Sequence, residues 1–205
     1  MEQILSLMRA PAKETTPDTL IEIAVLVQRT ISGDSAAFET IILRFERRVL
    51  ALSIRLLNSP EDAQDAAQEV FLRAFKYIHR LDLSRPVEPW LVRMTVNVCR
   101  DIGRKRQQRR NTFQEDTVAD IASKDESTNP HNGFAGEQRK QFLWKALDNL
   151  PEKERMAVIL RDIEGFSTSE VATILRSSET TVRSQVSRAR MKMKEAIGLM
   201  TGGRP

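Results

Sequence analysis

Between Asp34 and Asn58 the apolar residues Phe38, Ile41, Ile42, Phe45, Val49, Leu52 and Leu56 recur at steps of three and four. That spacing puts one continuous apolar stripe along a helix, long enough to span a small bundle, and the stripe must be covered by other helices. Strand-like alternation bounded by turn residues is hard to find elsewhere in the chain. The expected class is therefore all-α. From Asp18 to Ile31 the residues Leu20, Ile23, Ala24, Val27 and Ile31 share a helical face, Gly33 stops that helix, and Asp34 caps the next. Asn58-Ser59-Pro60 breaks the long helix. A third follows with Ala63, Ala67, Val70, Phe71, Ala74 and Ile78 inward, and a fourth begins near Pro89 and runs through Trp90 to about Arg106.

Periodicity fades from Asn111 to Gly136, where Asp, Ser, Thr, Asn, Pro and Gly dominate, so this stretch is expected to be a flexible linker. A second helical block starts near Glu137 with Phe142, Leu143, Ala146, Leu147 and Leu150 on one side, and Pro151 opens the next helix. The expected layout is a tail at 1–17, a helical domain at 18–110, the linker at 111–136, a second helical domain at 137–198 and a tail at 199–205.

Charge is distributed in the same blocks. Arg100, Arg104, Lys105, Arg106, Arg109 and Arg110 stand against Asp101 alone, and Arg176, Arg183, Arg188, Arg190, Lys192 and Lys194 against Glu179 alone, net +5 in each case. Between them Glu115, Asp116, Asp120, Asp125, Glu126 and Glu137 face only Lys124, net −5. Two basic ends joined by an acidic strap suit a polyanion partner. The single Cys99 can form no internal disulfide and sits on an apolar side near Val96, which fits a packing residue in a reducing compartment. His79 and His131 are isolated and no glycine-rich phosphate loop exists, so neither an enzyme nor a metal or cofactor site is expected. The chain contains no run of eighteen apolar residues, and membrane insertion is not expected.

Ser167-Thr168-Ser169-Glu170 has the pattern of a capping box at the start of a short helix with Val171, Ala172 and Leu175 inward. Arg176-Ser177-Ser178 ends it, and Ser178 or its neighbour caps a second helix on which Val182, Val186, Ala189 and Met193 repeat. The two make a helix-turn-helix. Thr180, Thr181, Arg183, Ser184, Ser187, Arg188 and Arg190 are left pointing outward, donor-rich side chains of the kind that read base edges and hold phosphates in a major groove. The competing interpretation is a solvated basic helix.

From about Leu20 to Ala196 the sequence resembles the extracytoplasmic-function (ECF) group of bacterial sigma factors. The carboxy-terminal resemblance lies in LWKALDNLPEKERMAVILRDIEGFSTSEVATIL followed by TTVRSQVSRARMKMKE. The amino-terminal resemblance lies in FETIILRFERRVLALSIRLLNSPEDAQDAAQEVFLRAFKYI followed by PWLVRMTVNVCRDIGRKRQQRR. It implies two helical domains and a cytoplasmic, non-catalytic subunit that directs RNA polymerase to promoters, with promoter DNA and the core enzyme as partners and an anti-sigma protein as regulator. By position it implies that Asp62, Asp65, Gln68, Glu69 and Arg73 dock on the coiled coil of the beta-prime clamp. These residues lie opposite the apolar face of their helix, a stripe with nothing in its own domain to bind.

The resemblance further implies that His79, Arg80 and the loop to Pro89, with Trp90, Arg93, Asn97 and Arg100, hold the opened minus-ten element. Arg104, Lys105, Arg106, Arg109 and Arg110 would contact its phosphates, and the acidic linker would lie near the polymerase active site. Trp90 is either a stacking surface or a core residue, and Asn97 either touches DNA or braces backbone. Arg176, Ser177, Thr180, Thr181, Arg183, Ser184, Ser187, Arg188 and Arg190 would read the minus-thirty-five element. Two departures bear on this. Arg176 stands where the family turn commonly has glycine, and Thr180 and Gln185 alter the reading surface. A helix-turn-helix repressor and a basic RNA-binding protein are the rival classes.

Overall fold

The computed structural model describes residues 17–83, 86–114 and 134–201, and every regular element among them is helical, as the periodicity requires. The amino-terminal block comprises α1 (Pro17–Ile31), α2 (Ser35–Leu57), α3 (Pro60–Tyr77), a short 3₁₀ turn (Ile78–Arg80) and α4 (Val87–Gln114). The carboxy-terminal block comprises α5 (Phe134–Asp148), α6 (Glu152–Val158), a π-helical turn (Ile159–Ile163), α7 (Thr168–Leu175) and α8 (Glu179–Met200). Most of the expected amino-terminal tail, the acidic linker from 115 to 133 with His131, and residues 202–205 lie outside the described residues.

Local chemistry sets the boundaries. Gly33 takes φ 96° after α1, and the Asp34 carboxylate accepts the Ala37 N–H at 3.2 Å to start α2. Asn58, at φ 49°, ends α2, and the Ser59 hydroxyl accepts the Asp62 N–H at 3.3 Å with Pro60 in the first position of α3. The stripe on α2 is buried at Phe38, Ile41, Val49, Leu52 and Leu56. It meets Ala63, Ala66, Val70, Phe71 and Ala74 of α3 and Leu91, Val92, Val96 and Cys99 of α4. Two expected inward positions differ. Ile31 is half exposed, and Thr30 is buried instead, its hydroxyl donating to the Leu26 carbonyl at 2.8 Å. On α3, Ala66 is fully buried whereas Ala67 is only partly so.

α4 runs well past the expected end at Arg106 because 104–114 holds no glycine or proline and several strong helix formers. α5 begins at Phe134, inside the stretch expected as linker.

The core of the second block collects Leu143, Leu147, Ile159, Leu160, Ile163, Phe166, Val171, Val182 and Met193, all fully buried or nearly so. Within it the Glu164 N–H donates to the Ile159 carbonyl at 2.9 Å, an i to i−5 bond that widens the helix by one residue before Gly165 (φ 75°) turns the chain.

The two blocks are packed together. α7 lies against α4, and the Arg55 Nη1 of α2 reaches the fully buried Glu164 carboxylate at 2.6 Å. Arg100 of α4 lies 3.4 Å from Glu152, and the Asn58 amide donates to Asp148.

Candidate nucleic-acid interface

The capping box forms in both directions: the Glu170 N–H donates to the Ser167 hydroxyl at 3.2 Å, and the Ser167 N–H to the Glu170 carboxylate at 2.7 Å. α7 ends on Arg176 at φ 52° and ψ 52°, with the Ser177 N–H donating to Ala172 O at 2.9 Å and the Arg176 N–H to Thr173 O at 3.4 Å. This paired closure needs a left-handed residue, so the turn keeps the shape that glycine would favour and Arg176 carries the strain. We expect Arg176→Gly to stabilise the protein by about 1 kcal/mol in denaturant titration. A stability loss would show that the exposed guanidinium side chain contributes more than the strain costs.

Ser178 caps α8, accepting the Thr181 N–H at 3.1 Å, and its hydroxyl lies 2.8 Å from that of Thr181, so Thr181 helps to close the turn. Val182, Val186, Ala189 and Met193 are buried and lock α8 against its block, while Thr180, Arg183, Ser184, Ser187, Arg188 and Arg190 are exposed. On α7 the third inward residue is Ile174, at 3% exposure, with Leu175 only partly covered. Gln185 does not belong to the reading surface: it is buried among the anchors.

Three acidic residues that sequence reasoning did not select organise this face. Asp162 takes Arg190 in a bidentate grip at 2.6 and 2.8 Å. Glu154, itself buried, accepts Lys192 at 2.8 Å and lies 3.8 Å from Arg188. Glu164 is the third, and burial pushes its carboxyl above the ordinary range while Arg55 and Arg48 pull it back. Their sequence signal is a charge set inside the apolar run from Met156 to Phe166. Arg183 is the most open arginine of the face, at 65% side-chain exposure, and is steadied by Glu179 at 2.7 Å.

On α3, Asp65 and Gln68 are exposed and make no side-chain hydrogen bond or ion pair among the described residues. The rest of the expected docking stripe is not idle. Arg73 holds Glu69 at 2.6 Å and reaches Asp101 at 3.3 Å, and Asp62 lies 3.4 Å from Arg106. The stripe therefore has partners in its own domain, because α4 runs alongside and carries both charges. Leu72 and Phe75 stand exposed beside it, an apolar addition that periodicity alone would have placed outside the core.

His79 and Arg80 are exposed on the 3₁₀ turn, Arg80 stacking 5.1 Å from the Tyr77 ring centre, and residues 84 and 85 of the following loop lie outside the described residues. Trp90 and Arg93 are half-buried. They line a cavity of about 450 Å³ with Pro89, Ser169, Glu170 and Thr173, so Trp90 both rests on the core and presents an edge to open space. Asn97 is half-buried. Arg104 and Arg106 line a second cavity of about 550 Å³ whose opposite wall is Asp148, Glu152, Arg155 and Met156. Lys105 and Arg109 are exposed, and the Arg110 side chain lies outside the described residues.

Cys99 is buried, and burial pushes its thiol up to about 11, with the Ser53 hydroxyl pulling slightly the other way. We expect a disulfide reagent at pH 8 to label it only as fast as the protein opens. The raised value favours the neutral thiol in the folded state. Its contribution to stability is therefore whole below the unfolded thiol value of about 8.5 and lost as pH rises towards 11. Immediate labelling of the native protein would contradict this burial.

Family models of sigma-70 region 2 and sigma-70 region 4 match residues 41–111 and 141–193, which are α2 to α4 and α5 to α8. The RNA polymerase sigma-H factor of Pseudomonas aeruginosa is 29% identical over 178 residues, covering 84% of this chain and 92% of that protein. The ECF RNA polymerase sigma-E factor of Escherichia coli K12 is 30% identical over 171 residues, covering 81% of this chain and 89% of that protein. Among solved structures, CnrH in complex with the cytosolic domain of CnrY aligns with a TM-score of 0.62 at 21% identity, over 87% of this chain and 98% of that one. The sigma factor RpoE of Bartonella quintana, in complex with the anti-sigma factor NepR, aligns at 0.61 and 24% identity, over 78% and 96%. These two likenesses establish the common helical fold.

Proposed function

The chain belongs to the ECF group of the sigma-70 family, and on that premise we propose how its residues divide the work of promoter recognition. It is a sigma subunit: it directs bacterial RNA polymerase to particular promoters by binding the core enzyme and promoter DNA. Sigma factors are non-catalytic initiation subunits, and in our reading this chain performs no chemistry, takes no cofactor and works in the cytoplasm beside the polymerase.

The observation that carries the assignment is the face of α8. Its anchors are buried and Thr180, Arg183, Ser184, Ser187 and Arg188 stand clear of them, a comb that fits a major groove at the minus-thirty-five element. Arg176 and Ser177 at the turn, with Thr181 at the cap, sit where phosphates flank that groove. Arg190, held by Asp162, is better placed to steady the helix and touch backbone than to read a base. In the amino-terminal block the minus-ten element is assigned to His79, Arg80, Trp90, Arg93, Asn97 and Arg100, with Arg104, Lys105 and Arg106 on its phosphates. A base drawn out of its stack loses a few kcal/mol of stacking and pairing, which an aromatic or cationic surface such as Trp90 with Arg93 would offset.

Core docking is assigned to α3, centred on Asp65 and Gln68, with Asp62, Glu69 and Arg73 joining once α4 releases them. An anti-sigma protein is proposed as regulator, by analogy with the Bartonella factor solved with NepR. Purified protein added to sigma-free core polymerase on a genomic template should start RNA at a discrete set of sites sharing paired upstream and downstream elements. No discrete starts would overturn the assignment. Asp65→Arg should weaken core binding at least tenfold while leaving the unfolding midpoint unchanged, and equal affinity would remove α3 from the docking surface.

A further inference from the structure

Glu164 is a fully buried carboxylate whose cations belong to the other block, 109 residues away in sequence for Arg55. Its Oε1 accepts from Arg55 Nη1 at 2.6 Å, and its Oε2 lies 3.6 Å from Arg48 Nη2, which is 2.6 Å from Glu88 Oε1 at the start of α4. Arg48, Arg55, Glu88 and Glu164 together carry no net charge.

The group is only partly satisfied as a hydrogen-bonded unit. Arg48 Nε and Nη2, Glu88 Oε1 and Glu164 Oε2 lie buried without a well-directed hydrogen bond, although the charges are in contact. A buried ion pair is weak cement against the alternative of two solvated surfaces, yet removing one member leaves a bare charge inside and is strongly unfavourable. Such a cluster suits a joint that is shut in one arrangement and released in another.

What the joint covers is the second observation. Trp90 and Arg93 share their cavity with Ser169, Glu170 and Thr173 of α7. Arg100 is engaged by Glu152 at 3.4 Å and by the Met156 sulfur at 3.5 Å, and Arg104 and Arg106 look across a cavity at Asp148 and Arg155. The carboxy-terminal block thus stands where an opened strand would have to lie along α4.

We propose that this packing is a closed state, latched by Arg48, Arg55, Glu88 and Glu164, in which the carboxy-terminal block blocks the strand-capturing face of α4 and must swing away before the minus-ten element can be held. The proposal rests on the minus-ten assignment above, but its first consequence does not depend on that assignment. Polymerase and duplex DNA would favour the open arrangement by binding the two blocks apart, and the latch sets how much of that binding energy goes into opening.

Two measurements test it, both on the full chain with Cys99 replaced by alanine. Spin labels at Thr40→Cys on α2 and Glu195→Cys on α8, both exposed, should give one narrow short distance in the free protein. Glu164→Gln and, separately, Arg55→Ala should shift most of the distribution to longer distances. An unchanged distribution in both variants, or a free protein already at long distances, would overturn the latch. Asn58→Cys with Asp148→Cys, joined across the seam by a short reducible bis-thiosulfonate linker, should lose at least tenfold in promoter-specific transcripts with core polymerase and recover them on reduction. Transcription within twofold of the reduced form would overturn the gating. Arg93→Ala in the unlinked protein reports separately on the minus-ten assignment, since its effect on strand opening does not require the latch.

Discussion

Replacing Phe166 by alanine should cost about 3–5 kcal/mol of folding stability and remove minus-thirty-five-dependent transcription at growth temperature. Phe166 is the largest of the fully buried side chains and sits where the π-helical turn, α6 and α7 converge. Its backbone is pinned too, the N–H donating to Leu160 O at 3.1 Å and the carbonyl accepting Arg161 Nη1 at 3.3 Å. With the backbone held there is little room for the site to collapse, so removing the ring leaves a cavity. A small domain has about 5–15 kcal/mol to lose, so a change of this size unfolds a large share of the carboxy-terminal block. Denaturant titration by circular dichroism measures it, and a loss under about 1 kcal/mol would mean that the ring is not packed as described.

Arg183→Ala and Arg188→Ala should each cost roughly 1–3 kcal/mol at promoters that depend on the upstream element, a loss of about 5- to 150-fold. Both are more than half exposed, and neither is held in a two-pronged carboxylate grip. Arg190 is, and Arg190→Ala should lose less at the promoter while exposing Asp162 to a helix from which its cation is gone. The three can be separated by varying salt. Truncating a side chain that grips phosphate lowers the slope of affinity against salt by about one ion for every sequence alike, whereas truncating one that reads a base relaxes the choice of base at one position. Wild-type transcription from both Arg183→Ala and Arg188→Ala would remove α8 from the groove.

Much of this was legible because the governing periods are local. The stripe from Phe38 to Leu56, the Asp34 and Ser178 caps and the Ser167 to Glu170 box each depend on residues within one or two turns, and each stands as expected. Arg176 was recognisable as a residue in a glycine's place, and the turn proves to keep the left-handed geometry at its expense. What could not be seen from spacing is set by distance in space. Gln185 falls at a helical position adjacent to readers, but the crossing of α8 over its block rotates it inward. Asp62 and Glu69 look like free acids on a helical wheel, and only the run of α4 beside them supplies Arg106 and, through Arg73, Asp101. Thr30 displaced Ile31 because a hydroxyl that bonds to its own helix hides its polarity at almost no cost. The pairing of Arg55 with Glu164 joins two blocks across a separation that no window of sequence contains.

The wide turn at Ile159–Ile163 holds one residue more than a regular helix would, and everything downstream inherits that offset. Deleting a single residue there would let the backbone revert to ordinary winding and spin the remainder of the domain by about 100°. Asp162 would then miss Arg190 and Glu164 would miss Arg55 in the same stroke. The spare residue is thus the indexing pin of the molecule, keeping its DNA comb and its inner joint in phase.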